Sequence, residues 1–225
     1  MLKLENISYS YIDGGNKRVI LNNLNYEFEA GKFYTILGPS GSGKTTLLSI
    51  IAGLDKPETG RVFFEGEDIE AIGLSKYRRN KISIVFQQYN LINYLTALEN
   101  IEMAMTETDN NIPKNHKEVA YALLEKFGIV RSKADRMVNK LSGGEQQRVA
   151  IARAIASNVD LIFADEPTGN LDSATEKEII KIFKELTEEY GKTVIVVTHS
   201  NLVSELSDHR TYLHDGMLTD TPQEL

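Results

Sequence analysis

The strongest chemical signal in the sequence is the segment GPSGSGKTT at 38–46, which combines a lysine with hydroxyl groups and three glycines. Glycine backbone can curve so that successive N–H groups point inward at phosphate oxygens. An apolar run precedes the segment and a helix-like run follows it, and the N-terminus of that helix adds partial positive charge. The spacing predicts a cradle for a nucleoside triphosphate. A plain glycine-rich turn is the alternative.

The residue types in this loop suggest individual roles. Lys44 is expected to reach the β- and γ-phosphates and is also counted as catalytic, and the Thr45 hydroxyl is expected to ligate Mg²⁺. Thr46 should add a further phosphate contact. The predicted nucleotide-binding residues of the loop are Gly38, Pro39, Ser40, Gly41, Ser42, Gly43, Lys44, Thr45 and Thr46.

Four apolar residues followed by two acids, LIFADE at 161–166, predict a buried strand that ends in carboxylates. A phosphate cradle needs a carboxylate for its metal. We expect Asp165 to hold Mg²⁺ through its water shell and Glu166 to polarise the attacking water. Neighbouring side chains of a strand point to opposite sides, so the two acids need not share a role. The alternative is an apolar strand that ends in acids without a function.

A third segment, LSGGEQQ at 141–147, predicts another helix start. Ser142 fits the N-cap, and Glu145 three residues later completes a capping box. Gly143 and Gly144 leave N–H groups that can approach a phosphate. The segment is therefore a candidate second anion site, and a well-capped helix without a ligand is the alternative.

The elements that must position these residues follow from the hydrophobic pattern. Residues 1–37 alternate like strands, whereas 89–156 are helical with little strand signal, so we predict an α/β fold with a mixed sheet and a helical insertion. Further strands are predicted at 61–65, 81–86, 161–164, 193–197 and 210–214, and helices at 45–53, 95–105, 116–127, 144–156 and 174–189.

Composition excludes several function classes. The 225 residues include 25 basic and 32 acidic side chains, a net charge of −7, which argues against a dedicated nucleic-acid-binding protein. There is no cysteine, which excludes disulfides, thiolate metal sites and a cysteine nucleophile. The N-terminus is charged where a signal peptide would be apolar, and no apolar run approaches membrane-spanning length. We expect a chain that is soluble and cytoplasmic when isolated.

The ordered set of motifs resembles the ATP-binding subunits of ABC transporters over essentially the whole chain. The set comprises GPSGSGKTT (38–46), Gln87, LSGGEQQR (141–148), LIFADE (161–166), Asn170-Leu171-Asp172 and His199. The resemblance implies a P-loop NTPase core of the ABC type, with an N-terminal antiparallel β part and an inserted helical subdomain. It implies one domain over 1–225, with a catalytic core at 1–88 and 157–225 and the helical subdomain at 89–156.

The same resemblance implies ATP and Mg²⁺ as ligands and a head-to-tail homodimer. Each ATP would lie between the P-loop of one subunit and the LSGG segment of the other. Ser142, Gly143 and Gly144 would then contact the γ-phosphate held by Lys44 of the other copy.

Two catalytic positions come from the resemblance. Gln87 resembles the Q-loop glutamine, which senses Mg²⁺ and water and forms the hinge of the helical subdomain. Gln88 is the competing neighbour, and a solvated loop amide is the alternative reading. His199 resembles the switch histidine that contacts the γ-phosphate, although a lone histidine after a strand is more often structural.

Two further positions come from the resemblance. Tyr11 resembles the aromatic residue that stacks on adenine, and Tyr9 competes with it because strand alternation puts both on one face. Asp172 resembles the D-loop aspartate that crosses the dimer interface. Without the family frame, Asp172 would be a turn or N-cap residue.

The segment DEPTGNLDS at 165–173 resembles the group with lipoprotein-releasing, macrolide-export and antimicrobial-peptide-resistance ATPases, which predicts an export or extrusion role. The implied partner is an integral-membrane permease, which would hold the chain at the cytoplasmic face of the cell membrane. The apolar segment 89–98 either forms part of a groove that receives the permease or packs in the core of the helical subdomain. The basic run 76–81 is interpreted as a solvated face. A non-transport complex that relays a mechanical or sensory signal is the alternative function.

Overall fold

The computed structural model describes residues 1–221, apart from the Asp13 side chain. The strands are β1 (Leu2–Asp13), β2 (Asn16–Phe28), β3 (Phe33–Leu37), β4 (Thr59–Phe64), β5 (Glu67–Asp68), β6 (Ile82–Phe86), β7 (Leu161–Asp165), β8 (Thr193–Val197), β9 (His209–His214) and β10 (Met217–Thr219). The helices are α1 (Lys44–Ile51), α2 (Ile69–Ile72), α3 (Leu74–Asn80), α4 (Ala97–Glu107), α5 (His116–Lys126), α6 (Arg131–Ala134), α7 (Gly143–Ala156), α8 (Ser173–Glu188) and α9 (Asn201–Leu206), with a 3-10 turn at Val138–Lys140.

Two sheets organise these elements. The larger has the order β10-β9-β3-β8-β7-β6, with parallel pairing from β9 to β6 and antiparallel β10 at its edge. The smaller sheet, β2-β1-β4-β5, is antiparallel throughout. Strands β3 and β8 are buried at every position, as expected for parallel strands covered on both faces. The α/β class, the mixed sheet and the antiparallel N-terminal part are confirmed.

The larger sheet separates two hydrophobic cores. On β3, Phe33 packs into one core and Ile36 into the other. Helix α1 belongs to the second core, which also holds the antiparallel sheet. Helix α8 covers the first core with Ile179, Phe183 and Leu186, whose spacing puts them on one face. The phosphate loop before α1 is therefore anchored between a buried strand and a buried helix.

The predicted helical stretch is confirmed as helices α4 to α7, which pack on one another and contribute to the first core. The predicted bounds of the longer helices are wrong by one or two residues at several ends. Helix α4 begins after Thr96, whose side chain forms a capping box with Glu99. The predicted loop before α5 is held by Asn80, whose Oδ1 accepts the Asp109 N–H at 3.0 Å.

The interpretation of the basic run 76–81 as a solvated face is wrong in part. The run forms most of α3 and part of it faces inward, with Tyr77 fully buried and its hydroxyl donating to the Ile51 carbonyl at 2.9 Å. The Arg78 guanidinium donates to the Gly53 carbonyl at 2.5 Å. These side chains satisfy carbonyl groups at and just beyond the end of α1, where a helix leaves its last carbonyls without partners.

Candidate nucleotide site

A cavity of about 680 Å³ lies at the carboxyl ends of the parallel strands, where ligands bind in folds of this class. It extends from the smaller sheet to the ends of β7 and β8. Its lining residues are Tyr11, Ile12, Arg18, Ile20, Ser40, Gly41, Gly43, Lys44, Thr45, Thr46, Glu166 and His199.

The loop 38–43 has a backbone that larger residues would not adopt. Gly41 and Gly43 have φ angles of 79° and 100°, in the left-handed region that glycine tolerates. A Cβ at Gly38 would lie 2.6 Å from the Leu213 carbonyl oxygen, so only glycine fits between the loop and β9. Gly43 is the N-cap of α1, and the N–H groups of the first turn are free to meet an anion.

The predicted phosphate and metal ligands lie side by side. The Lys44 ammonium donates to the carbonyls of Gly38 and Pro39, at 2.8 and 3.0 Å, and is thereby held across the loop. The Thr45 hydroxyl lies 3.5 Å from an Asp165 carboxylate oxygen, although 120 residues separate them in the chain. A hydroxyl and a carboxylate from opposite elements thus converge on one point.

This oxygen pair fits Mg²⁺. Magnesium prefers oxygen ligands, keeps several waters and takes one or two protein oxygens beside substrate phosphates. Among the described side chains, no group of three or more His, Cys, Asp or Glu forms a metal site. A metal held by Thr45 and Asp165 would therefore need further ligands from phosphate and water. The Asp165 pKa is raised by burial first and by the Glu166 charge second, which means that its anionic form gains from a nearby cation.

The prediction that Asp165 and Glu166 alternate along one strand is wrong. Strand β7 ends at Asp165, and Glu166 takes the left-handed conformation with φ of 45°. Its N–H donates to the Val197 carbonyl at 2.9 Å, which keeps the turn tied to β8. Left-handed φ is uncommon for a residue other than glycine, and this turn directs the carboxylate into the cavity.

Glu166 and His199 form a close pair from neighbouring strand ends. The His199 Nδ1 lies 3.0 Å from Glu166 Oε1, and the His199 backbone N–H donates to Oε2 at 3.3 Å. The histidine side chain is 73% exposed, whereas that of Glu166 is 19% exposed. The pair therefore holds a carboxylate in place with an imidazole at the mouth of the cavity.

The end of the cavity at the smaller sheet is lined by Tyr11 and not by Tyr9. Tyr11 is 46% exposed, lines the cavity, and has its hydroxyl oxygen 3.2 Å from that of Thr46. The Tyr9 hydroxyl instead donates to the Asp55 carboxylate at 2.6 Å. Of the two competing tyrosines, only Tyr11 presents its ring to the cavity.

Gln87 follows β6, as predicted, but its amide contacts another loop. Its Nε2 donates to Asn170 Oδ1 at 3.3 Å, and the Asn170 amide donates to the Gln87 carbonyl at 3.4 Å. A Cβ at Gly169 would lie 2.9 Å from Gln87 Nε2, so the glycine allows this approach. The structure thus places Gln87 beside the loop that follows Glu166, outside the cavity lining.

The predicted capping box at the start of α7 is confirmed. The Glu145 N–H donates to Ser142 Oγ at 3.4 Å, and Glu145 Oε2 accepts the Ser142 N–H at 2.8 Å. An ion pair with Lys133, followed by the Ser142 contacts, keeps the Glu145 pKa below its usual value. The three residues 142–144 do not line the cavity, so this chain does not bring the two predicted anion sites together.

Asp172 acts as the N-cap of α8 in this chain. Its carboxylate accepts the N–H groups of Ala174 and Thr175, both at 3.0 Å, and the Thr175 hydroxyl at 2.7 Å. These bonds, the Thr175 hydroxyl first, lower the pKa of Asp172. Thr175 also packs against Gly144, where a Cβ would lie 2.5 Å from its methyl group, so the starts of α7 and α8 are in contact.

Three lining residues were not predicted from the sequence, namely Ile12, Arg18 and Ile20. Arg18 pairs directly with Tyr11 across the β1-β2 ladder. Ile20 falls at a register shift, because Tyr9 pairs with Leu21 while Ser10 pairs with Val19. Sequence alternation gives no signal for such a bulge.

An arginine in the last turn of α7 binds the segment that follows Gln87. The Arg153 guanidinium donates to the carbonyls of Asn90 at 2.6 Å and Tyr89 at 3.2 Å. Both of these residues have left-handed φ, at 46° and 60°. Burial lowers the pKa of Arg153 from its very high usual value. Arg153 therefore binds the turn after Gln87 to helix α7.

Comparison with known proteins decides the family. The sequence profile described as ABC transporter matches residues 21–169. The chain belongs to the ABC transporter family. It is 43% identical to the uncharacterized ABC transporter ATP-binding protein YclH of Bacillus subtilis, covering 97% of this chain and 96% of YclH. It is 39% identical to the macrolide export ATP-binding/permease protein MacB of Syntrophobacter fumaroxidans, covering 97% of this chain but 31% of MacB.

Solved structures support the same family and the same fold. The structure matches the dimeric ABC transporter cassette MJ0796 with a TM-score of 0.88 and 43% identity, covering 97% of this chain and 96% of that one. A second structure, of the MJ0796 dimer in a post-hydrolysis state bound to ADP and Pi, matches with a TM-score of 0.87. MJ0796 is from Methanocaldococcus jannaschii. The ABC-type ATPase fold is confirmed, and the chain is an ATP hydrolase of this family.

Within the described residues, no helix combines the length and the apolar character that a bilayer crossing requires.

Proposed function

We propose that this ABC ATPase forms a head-to-tail homodimer, hydrolyses Mg·ATP at two shared sites and drives an integral-membrane permease of the export type. The observation that carries the proposal is the convergence of three features in one cavity: the phosphate loop, the Thr45–Asp165 oxygen pair and the Glu166–His199 pair. The proposed division is a catalytic core at 1–88 and 157–225 and a helical subdomain at 89–156.

The triphosphate binds along residues 38–46, with backbone N–H groups and Lys44 on its oxygens. Lys44 exchanges its bonds to the Gly38 and Pro39 carbonyls for bonds to phosphate, which is a stronger partner because it is charged. Thr45 and Asp165 would hold Mg²⁺, and Gln87 would turn its amide from Asn170 toward the metal site. Bound Mg²⁺ neutralises charge that develops on the β- and γ-phosphate oxygens.

Hydrolysis depends on two groups at the strand ends. Glu166 accepts a hydrogen bond from the attacking water and takes its proton, while the His199 contacts keep the carboxylate aimed at the γ-phosphate. His199 is exposed enough to contact the γ-phosphate itself. Tyr11 supplies the ring on which the adenine stacks.

The second anion site requires a second copy. The N-terminus of α7, with Ser142, Gly143 and Gly144, lies outside the cavity of its own chain. The Gly143 and Gly144 N–H groups of its first turn are therefore available to a phosphate held elsewhere. The dimeric cassettes of MJ0796, which are 43% identical to this chain, support this arrangement. Asp172, at the adjoining start of α8, lies at the same interface.

A groove beside α4 is the proposed docking site for the permease. It has a volume of about 290 Å³ and lies between β6, α3, α4 and α7. Arg153, which lines the groove, donates to the Tyr89 and Asn90 carbonyls and so connects it to the segment 89–98. Tyr94 in that segment is 77% exposed, which ordinary core packing does not explain. The likeness to a macrolide export protein supports an export role. In this proposal the permease holds the chain at the cytoplasmic face of the membrane. The second candidate function, relay of a signal through a membrane partner, uses the same surfaces.

A pull-down with tagged Glu166→Gln protein tests the proposal. The variant retains Mg·ATP and therefore the closed dimer, and it is applied to detergent-solubilised native membranes before mass spectrometry. We expect a polytopic membrane protein among the captured partners, and expect it to be lost when Tyr94→Glu is added. Capture of soluble partners alone, with the dimer intact, would overturn the permease assignment and leave the ATPase standing.

A further inference from the structure

The two tyrosines of β1 are fastened to opposite ends of the phosphate-loop helix. The Tyr11 hydroxyl oxygen lies 3.2 Å from Thr46 Oγ1, in the first turn of α1. The Tyr9 hydroxyl donates to Asp55 at 2.6 Å, in the turn that follows the end of α1. Asp55 is itself tied to the helix, because its N–H donates to the Ser49 carbonyl at 3.1 Å. One strand thus contacts one helix at two points.

The two rings also contact each other. Their centroids lie 5.1 Å apart with an interplanar angle of 79°, the edge-to-face arrangement that aromatic pairs favour. The face of Tyr11 is half exposed in the cavity, whereas Tyr9 does not line it. A position held by Tyr9 on one side and by Thr46 on the other restricts the Tyr11 ring to one orientation.

The Tyr9–Asp55 bond has the features of a persistent contact. The bond to Asp55 and partial burial raise the pKa of the Tyr9 phenol, so its donor proton stays in place at neutral pH. The second carboxylate oxygen of Asp55 accepts the Lys56 N–H at 2.8 Å, which fixes the carboxylate plane. Nearby, the Glu58 N–H donates to the Ser8 carbonyl at 2.9 Å and joins the same turn to β1.

We infer that Tyr9 and Asp55 are positioning residues for nucleotide-base binding: they fix the height and tilt of the Tyr11 ring above α1, so that a purine stacks on it while its phosphates occupy the loop. The inference rests on the proposed ATP site. A side chain that is already ordered before binding does not lose conformational entropy in the binding step. The Tyr9–Asp55 bond should therefore increase the affinity for ligands that carry a base and leave the affinity for base-free polyphosphate unchanged.

The test compares two ligands on matched variants. Calorimetry measures the Kd of ATP and of inorganic tripolyphosphate, both with Mg²⁺, for Tyr9→Phe, Asp55→Ala and Asp55→Asn. Tyr9→Phe keeps the ring edge against Tyr11 and removes only the bond to Asp55. The control is Tyr26→Phe, which removes another tyrosine–aspartate bond of the same sheet, from Tyr26 to Asp220 at 2.8 Å, outside the cavity lining.

We expect Tyr9→Phe and Asp55→Ala to raise the Kd of ATP by about two- to tenfold. This is the change that corresponds to ordering one side chain on binding. Tripolyphosphate affinity and the hydrolysis rate at saturating ATP should not change, so KM rises while kcat stays constant. Asp55→Asn keeps an acceptor oxygen and should restore most of the ATP affinity. Tyr26→Phe should bind both ligands like the unmodified chain.

Three results would overturn the inference. Equal weakening of both ligands would mean that the pair only supports the fold, and no weakening of either would mean that Tyr11 needs no clamp. Equal loss of ATP affinity in Tyr26→Phe would mean that any such bond has the same effect. Failure of the unmodified chain to bind ATP would refute the nucleotide site itself, which is a separate and distinguishable outcome.

Discussion

Replacing Glu166 with glutamine should block hydrolysis while leaving ATP binding intact. The amide has the size of the carboxylate and still offers an oxygen to the His199 N–H, which donates at 3.3 Å. It lacks the basicity to take a proton from water. A positioned general base contributes about 10²–10⁴-fold to a rate, so we expect kcat to fall by about that factor. This corresponds to about 3–5 kcal/mol of transition-state stabilisation.

Phosphate release at saturating Mg·ATP measures kcat, and calorimetry measures ATP affinity. The control is Glu189→Gln, which removes an exposed carboxylate that pairs with Lys126 at 3.2 Å and does not line the cavity. Gel filtration with ATP should show a dimer for Glu166→Gln. A variant that keeps more than about a tenth of the rate would refute Glu166 as the base, since that loss is below the range for a general base.

Three more predictions follow from contacts in the structure. Asp165→Asn should abolish Mg-dependent hydrolysis yet raise the thermal stability of the ligand-free chain, because the raised Asp165 pKa means that folding disfavours its anion. Melting curves should show the full gain above the folded pKa, a decline as the pH falls from there toward the ordinary aspartate value, and no gain below that value. Gly144→Ala should lower stability by about 1–3 kcal/mol in urea unfolding, because its Cβ would lie 2.5 Å from the Thr175 methyl group; an unchanged midpoint would contradict this packing. Arg153→Ala should increase hydrogen exchange at 89–91 by leaving two carbonyls without their donor, whereas unaltered exchange there would show that the turn holds itself.

Local chemistry was predictable from the sequence. The phosphate loop, the capping box at Ser142 and the strand that ends at Asp165 each depend on a few neighbouring residues, and each was found within a residue or two of its expected place. The parallel strands were recognisable because both of their faces are apolar. These features need no knowledge of distant contacts.

The features that were missed depend on distant contacts or on backbone departures. Tyr9 and Asp55 are 46 residues apart and Gln87 and Asn170 are 83 apart, and nothing local relates the members of either pair. Glu166 leaves the strand geometry in a left-handed turn, which overturned the expectation from alternation. The inward face of α3 was missed because four charges within six residues conceal a buried tyrosine.

The bond between Arg153 and the turn at Tyr89 and Asn90 makes α7 a lever. The helix has 14 residues, so its Ser142 end and Arg153 are about 16 Å apart along the axis at 1.5 Å per residue. A rotation of 10° about the Arg153 end would move Ser142 by about 3 Å, the full length of a hydrogen bond. A small displacement of the turn after Gln87 would therefore move Ser142 far enough to make or break its proposed contact with a phosphate.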